Sequence, residues 1–139
     1  MNTVNPPQNR ILIVDDSGPF RLMLTHLLTD MGFNAVPVEN AIRALDVLKV
    51  QLSTFSLVIT DFEMPCPSGA ELIRRIIEFT RTPPPMVLFT GIDLNNHEIQ
   101  RLRSEIKNHD CVYFLSKTCS FEEFREVLRR AIGKQGTFN

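Results

Sequence analysis

Five short apolar runs punctuate the chain, and after each one apolar positions return every three or four residues. The runs are Ile11-Leu12-Ile13-Val14, a short strand candidate at 35–39, Leu57-Val58-Ile59-Thr60, Met86-Val87-Leu88-Phe89, and one at 111–115. Most are continuous rather than alternating, which predicts strands covered on both faces. Between them the spacing predicts helices. Phe20, Met23, Leu24, Leu27, Leu28 and Met31 mark the first, with Ser17 as N-cap, Pro19 in the first turn and Gly32 as the stop. Asn40 caps a second helix to about Lys49 that carries Ile42, Leu45 and Leu48. A third, from Ser68 to about Thr80, turns Leu72, Ile73, Ile76 and Ile77 inward. Leu94, Ile99, Leu102 and Ile106 mark a more polar fourth. Phe121, Phe124, Val127, Leu128 and Ala131 mark the last, which Gly133 stops. Strands alternating with amphipathic helices predict an α/β domain, a doubly wound parallel sheet with helices on both faces.

Composition narrows the classes of function more than it selects one. At 139 residues, 43% hydrophobic and 22% charged, the chain fits one ordinary domain with its own core. A net charge of −1 supplies no global field for nucleic acid or anionic membrane. The longest apolar runs are far too short to span a bilayer, and the polar start MNTVNPPQN lacks the basic-then-apolar order of a secretory signal. Cys66, Cys111 and Cys119 show no metal-type spacing and read as reduced thiols.

The chemistry collects where strands end. In an open parallel sheet ligands bind outside the carboxyl ends of the strands. Those exits carry Asp15-Asp16 after the first strand, Asp61 after the third, Thr90 after the fourth and Lys117 after the fifth. Each has an ordinary explanation alone: a helix-capping acid, a turn-starting acid before Met64-Pro65 and Gly69, a backbone-satisfied hydroxyl, a solvated lysine. Together they leave a net charge of about −2 after the lysine is counted, which suits a divalent hard cation such as Mg²⁺. A cation and an ammonium beside a carboxylate suit phosphoryl transfer, with Asp61 as a nucleophile forming an acyl phosphate. Thr90 and Lys117 can each bind a phosphoryl oxygen.

On these matches, with Asp61 set in DFEMPCPSG and Thr90 followed by Gly91, residues 10–132 resemble the receiver domain of two-component response regulators. That flavodoxin-like family includes the chemotaxis regulator. The resemblance implies a five-stranded sheet in the order 2-1-3-4-5, between tails at 1–9 and 133–139. It implies that Asp61 is phosphorylated from a phosphohistidine on a sensor histidine kinase or histidine phosphotransfer protein. It also implies that Mg²⁺ is held by Asp16, the Asp61 carboxylate and the main-chain carbonyl of Glu63, with Asp15 acting through water. Phe114, three residues before Lys117, takes the place of the switch aromatic that moves with Thr90 and remodels a partner surface. A downstream protein target, a cytoplasmic location and phosphorylation-dependent homodimerisation follow from the same likeness. Neither direct nucleic-acid contact nor membrane contact is expected, nor any enzyme activity beyond turnover of its own phosphoryl group.

One position departs from the family pattern. Thr118 follows Lys117 where the family usually has proline, and the Lys117–Thr118 peptide is expected to be trans. This leaves the last loop and the pose of the fifth helix open. Glu63 and Ile92, each two residues past a site residue, occupy positions that in the family tune phosphoryl lifetime. GKQGTFN is too short to fold as a further domain. The chain therefore reads as a domain working alone or as a piece of a longer regulator or hybrid kinase. Three other readings compete. A receiver-like interaction module that is never phosphorylated keeps the fold without the chemistry. A Mg²⁺-dependent phosphatase usually carries D-x-D after its first strand, which Asp15-Asp16-Ser17 does not match. A flavin module would have its phosphate repelled by Asp15 and Asp16.

Overall fold

The structure, a computed structural model, describes residues 9–133. Its elements run β1 (Arg10–Val14), α1 (Gly18–Asp30), β2 (Asn34–Val38), α2 (Ala41–Gln51), a 3-10 turn (Leu52–Thr54), β3 (Phe55–Thr60), α3 (Gly69–Phe79), β4 (Met86–Thr90), α4 (His97–Glu105), β5 (Val112–Ser116) and α5 (Phe121–Gly133). The strands form one parallel sheet in the order β2-β1-β3-β4-β5, as expected.

Strand alternation sorts the helices between two faces. Ile11, Ile13, Leu57, Ile59 and Val87 point to the layer filled by Leu24 and Leu28 of α1 and by Phe124 and Leu128 of α5. Leu12, Val14, Val58 and Leu88 point the other way, against α2, α3 and α4 through Leu48, Ile73, Ile76, Ile99 and Leu102. The central strands are buried along their whole length. That is why their sequences read as unbroken apolar runs.

Helix starts follow the caps read from the sequence. Ser17, Asn40 and Ser68 accept from Phe20, Arg43 and Glu71 main-chain N–H groups. Asn96 caps α4 by accepting from Glu98 N–H, which leaves Leu94 outside the helix it was expected to mark. Gly32 takes φ +95°, and the N–H groups of Gly32 and Phe33 donate to the Thr29 and Leu28 carbonyls, closing α1 as a Schellman turn.

Several expectations are corrected. β3 begins at Phe55 rather than Leu57, because the buried Ser56 interrupts the apolar pattern but not the strand. Met23, Ile42 and Phe121, expected on inward faces, are exposed, and Ala41 and Ala44 carry the inner face of α2 instead. Asn9, assigned to the first tail, already accepts from Asn34 N–H at 2.8 Å, and Gly133 is the last helical residue of α5. The rest of the two expected tails lies outside the described residues. Among the described residues no helix is long and apolar enough to cross a membrane.

Candidate functional site

Strand order brings the distant acids together. β1 and β3 are neighbours, and the ladder continues one step past their ends. Asp61 N–H donates to the Val14 carbonyl at 2.9 Å, and Asp15 N–H to the Val38 carbonyl at 3.2 Å. On the other side Lys117 N–H donates to the Thr90 carbonyl at 2.8 Å, which fixes the exits of β4 and β5 side by side. All five residues therefore stand on one sheet edge. Carboxylate oxygens of Asp15, Asp16 and Asp61 lie within 4.8 Å of one another.

Lys117 reaches back across the edge rather than out to water. Its Nζ lies 2.8 Å from Asp15 Oδ2 and 3.6 Å from Asp61 Oδ1, and its side chain is 20% exposed. The other Asp15 oxygen, Oδ1, accepts from Ser17 N–H at 2.8 Å, so both oxygens of this buried acid are engaged. Arg21 donates to the Asp15 main-chain carbonyl at 2.7 Å and pins the turn between β1 and α1. Asp16 stays exposed on the rim.

Asp61 is 7% exposed, and burial is the main cause that pushes its carboxyl above the usual aspartate range. Lys117 pulls it back down, Asp15 pushes it up again, and the main-chain N–H groups of Glu63 and Phe62 favour the charged form. At an effective dielectric near 20, each carboxylate pair at about 5 Å costs on the order of 3 kcal/mol. One ammonium cannot offset three such acids, and oxygen-only donors around a surplus of negative charge fit a hard divalent cation.

Thr90 is fully buried at the end of β4. Its Oγ1 accepts from Ile92 N–H at 3.1 Å, a bond that does not use the hydroxyl proton. Glu63 is exposed and borders, with Asp16, Ile92 and Glu98, an open groove of about 420 Å³. Phe114 is half-buried on β5 beneath α4, and the Arg103 guanidinium lies 4.2 Å from its ring centroid. It is thus neither a fully buried core aromatic nor a free one.

The loop after Lys117 closes without proline. The Lys117–Thr118 peptide is trans, as expected; among the described residues the one cis bond is Cys66–Pro67. The Ser116 and Thr118 hydroxyls bond at 2.8 Å, and Thr118 N–H donates to Ser116 Oγ. Ser120 and Glu123 then exchange bonds at 3.0 Å in each direction, a capping box that sets the start of α5.

Two residues essential to this geometry were read only as fold residues in the sequence. Gly69 reads as turn chemistry in the sequence, and in the structure a Cβ there would meet the Asp61 carbonyl oxygen at 1.9 Å. Phe20 reads as a helix-face apolar residue, and in the structure its ring lies under the Lys117 ammonium, 3.9 Å from Nζ to centroid. No local pattern distinguishes either from an ordinary turn glycine or core phenylalanine.

Residues 11–129 match the Response regulator receiver domain family. The chain is 36% identical over 123 residues to the transcriptional activator protein ExaE of Pseudomonas putida, covering 88% of this chain and 54% of that protein. It is 33% identical over 115 residues to protein-glutamate methylesterase/protein-glutamine glutaminase 3 of Pseudomonas syringae pv. syringae, covering 82% of this chain and 28% of that protein. The chain thus spans between about a quarter and a half of these curated relatives. Among solved structures it resembles a response regulator receiver protein from Pseudomonas putida, with TM-score 0.77 and 26% identity, covering 92% of this chain and 99% of that one.

Proposed function

The chain belongs to the response regulator receiver domain family, and from that premise we propose that it accepts a phosphoryl group on Asp61 and changes a partner-binding surface in response. The observation that carries this reading is the Lys117 ammonium set between Asp15 and Asp61 in a cluster of three acids. An Asp61 carboxylate oxygen attacks phosphorus, and the P–N bond to the imidazole of a phosphohistidine donor breaks. The leaving imidazole keeps its electron pair and takes a proton from water. Lys117 is already 3.6 Å from the nucleophile and shifts from Asp61 to an oxygen of the incoming group. Thr90 donates a hydrogen bond from its hydroxyl to another.

Asp16 and Asp61 would hold Mg²⁺ with the Glu63 main-chain carbonyl, and Asp15, whose two oxygens are engaged by Ser17 N–H and Lys117, would act through water. The cation supplies charge compensation for the transferring phosphoryl oxygens. Movement of Thr90 toward the acyl phosphate is coupled to Phe114, whose ring lies under α4, so the surface formed by α4, β5 and α5 changes. The donor is a sensor histidine kinase or histidine phosphotransfer protein, the reader is a downstream protein or a second copy, and the setting is the cytoplasm. The domain turns over only its own acyl phosphate.

Incubation with acetyl phosphate and Mg²⁺, followed by intact mass, tests the reaction. One phosphoryl addition that a chelator abolishes is expected; none, under conditions that label a control receiver, contradicts it. Identical partner affinity with and without a phosphoryl mimic would favour a scaffold role instead.

Glu63 lines the groove two residues past the proposed acceptor, where a carboxylate can orient an attacking water. Glu63→Ala is expected to slow decay of the phosphorylated form by about three-fold or more, read by phosphate release. Unchanged decay would remove Glu63 from water control.

A further inference from the structure

Three groups surround the Lys117 ammonium: Asp15 at 2.8 Å, Asp61 at 3.6 Å and the face of the Phe20 ring at 3.9 Å. Two are acids that attract it directly. The third is an aromatic face, whose negative quadrupole attracts a cation that water cannot fully solvate. We infer that Phe20 is a positioning residue for Lys117, holding the ammonium over the acid pair through its π face rather than through its bulk. The inference rests on the proposed role of Lys117 in binding the phosphoryl group.

The ring is well placed for this. Phe20 sits in the first turn of α1, and its N–H donates to Ser17 Oγ at 3.3 Å. Ser17 N–H in turn donates to Asp15, and Asp15 accepts from Lys117. Asp15, Ser17, Phe20 and Lys117 therefore close a circuit of contacts, so the turn that aims the acid also aims the ring. Behind it Phe89 packs tilted at 54°, 5.6 Å between centroids, and Phe124 packs on Phe89 at 5.4 Å. This column fixes the ring plane. Beside it lies an apolar cavity of about 150 Å³, bordered by Phe20, Lys117 and the exposed Met23 and Phe121. A lysine no longer held by the ring has this space, and the solvent beyond it, to swing into.

Volume and electrostatics separate cleanly in the test. Phe20→Leu keeps an apolar residue in the helix turn and removes the quadrupole; Phe20→Tyr keeps both. Site-specific fluorination of the Phe20 ring weakens the π face stepwise at nearly constant size. Phe20→Leu is expected to slow Mg²⁺-dependent phosphorylation by acetyl phosphate about five-fold, with Phe20→Tyr near wild type and the fluorinated series graded between. A second readout does not need phosphorylation: the ¹⁵N resonance of the Lys117 ammonium. It is expected as a distinct, slowly exchanging signal in wild type and Phe20→Tyr, fading along the fluorinated series and lost in Phe20→Leu. A fluorinated series with wild-type rates and an unchanged ammonium signal would overturn the inference and leave Phe20 as filler. If the wild type takes no phosphate while the signal still follows ring electronics, the phosphoacceptor reading fails and the positioning inference stands.

Discussion

Asp61→Asn is expected to abolish phosphoryl uptake and, in the metal-free protein at neutral pH, to raise stability. The first effect follows from losing the nucleophilic oxygen: an amide is not replaced by the hydroxyls or acids around it, so uptake should fall at least about a hundred-fold. The second follows from the cluster's charge. Asp61 is buried among acids, and its carboxyl titrates above the ordinary 3.8 in the folded protein, with burial as the largest cause. A group whose folded pKa is raised is favoured in its protonated form. Its contribution to stability is therefore full below the unfolded value and lost as pH rises through the folded one. Asparagine does not titrate, so the variant's advantage opens across that window and persists above it. Its size is on the order of 1 kcal/mol, the scale of ordinary single substitutions. Urea melts in chelator from about pH 4 to 8 should show the two proteins diverging as pH rises. On the proposed Mg²⁺ site, the cation should then narrow the gap by stabilising the folded wild type. A variant less stable than wild type at neutral pH in chelator would mean that Lys117 already neutralises the cluster.

Gly69→Ala acts through the same loop by a different route. The Gly69 N–H donates to the Phe62 carbonyl at 3.2 Å, folding α3 back against the exit of β3. A Cβ at position 69 would sit 1.9 Å from the Asp61 carbonyl oxygen, 2.8 Å from its carbon and 3.0 Å from Phe62 Cα. All three are backbone atoms, so no side chain can turn away, and either α3 or the Asp61 loop must move. Overpacking of this kind costs roughly 2–4 kcal/mol. For a domain of this size that is a fall in melting temperature of about 10 °C. Phosphorylation should slow as well, because the displaced residue is the proposed acceptor. Gly91→Ala is the matched control, since no atom lies within 4 Å of a Cβ built there. Equal melting temperatures for the two variants would show that α3 and the Asp61 loop part at little cost and contradict the prediction.

The fold was legible because its strands are buried from both sides. Val58 and Ile59 carry side chains into opposite layers, so neither face left a polar signature and the run itself marked the strand. A polar residue inside a buried strand, or small residues on a buried helix face, break the link between apolar pattern and burial. Ser56 hid the start of β3, and Ile42 and Met23 kept the helical period although their neighbours Ala41 and Leu24 carry the contact. The acids, Thr90 and Lys117 were legible because residue type and strand exit together imply convergence. Phe20 and Gly69 were not, because their roles lie in distances to residues far along the chain: Lys117 in one case, the Asp61 main chain in the other.

The acceptor can be identified chemically. Borohydride reduces an aspartyl phosphate to homoserine, leaving a stable mark on the residue that carried the phosphoryl group. After treatment with acetyl phosphate and Mg²⁺, reduction and peptide mass analysis, homoserine is expected at position 61 and nowhere else. Homoserine at Asp15 or Asp16, or no conversion while a control receiver is converted, would contradict the assignment of Asp61 as the phosphoacceptor.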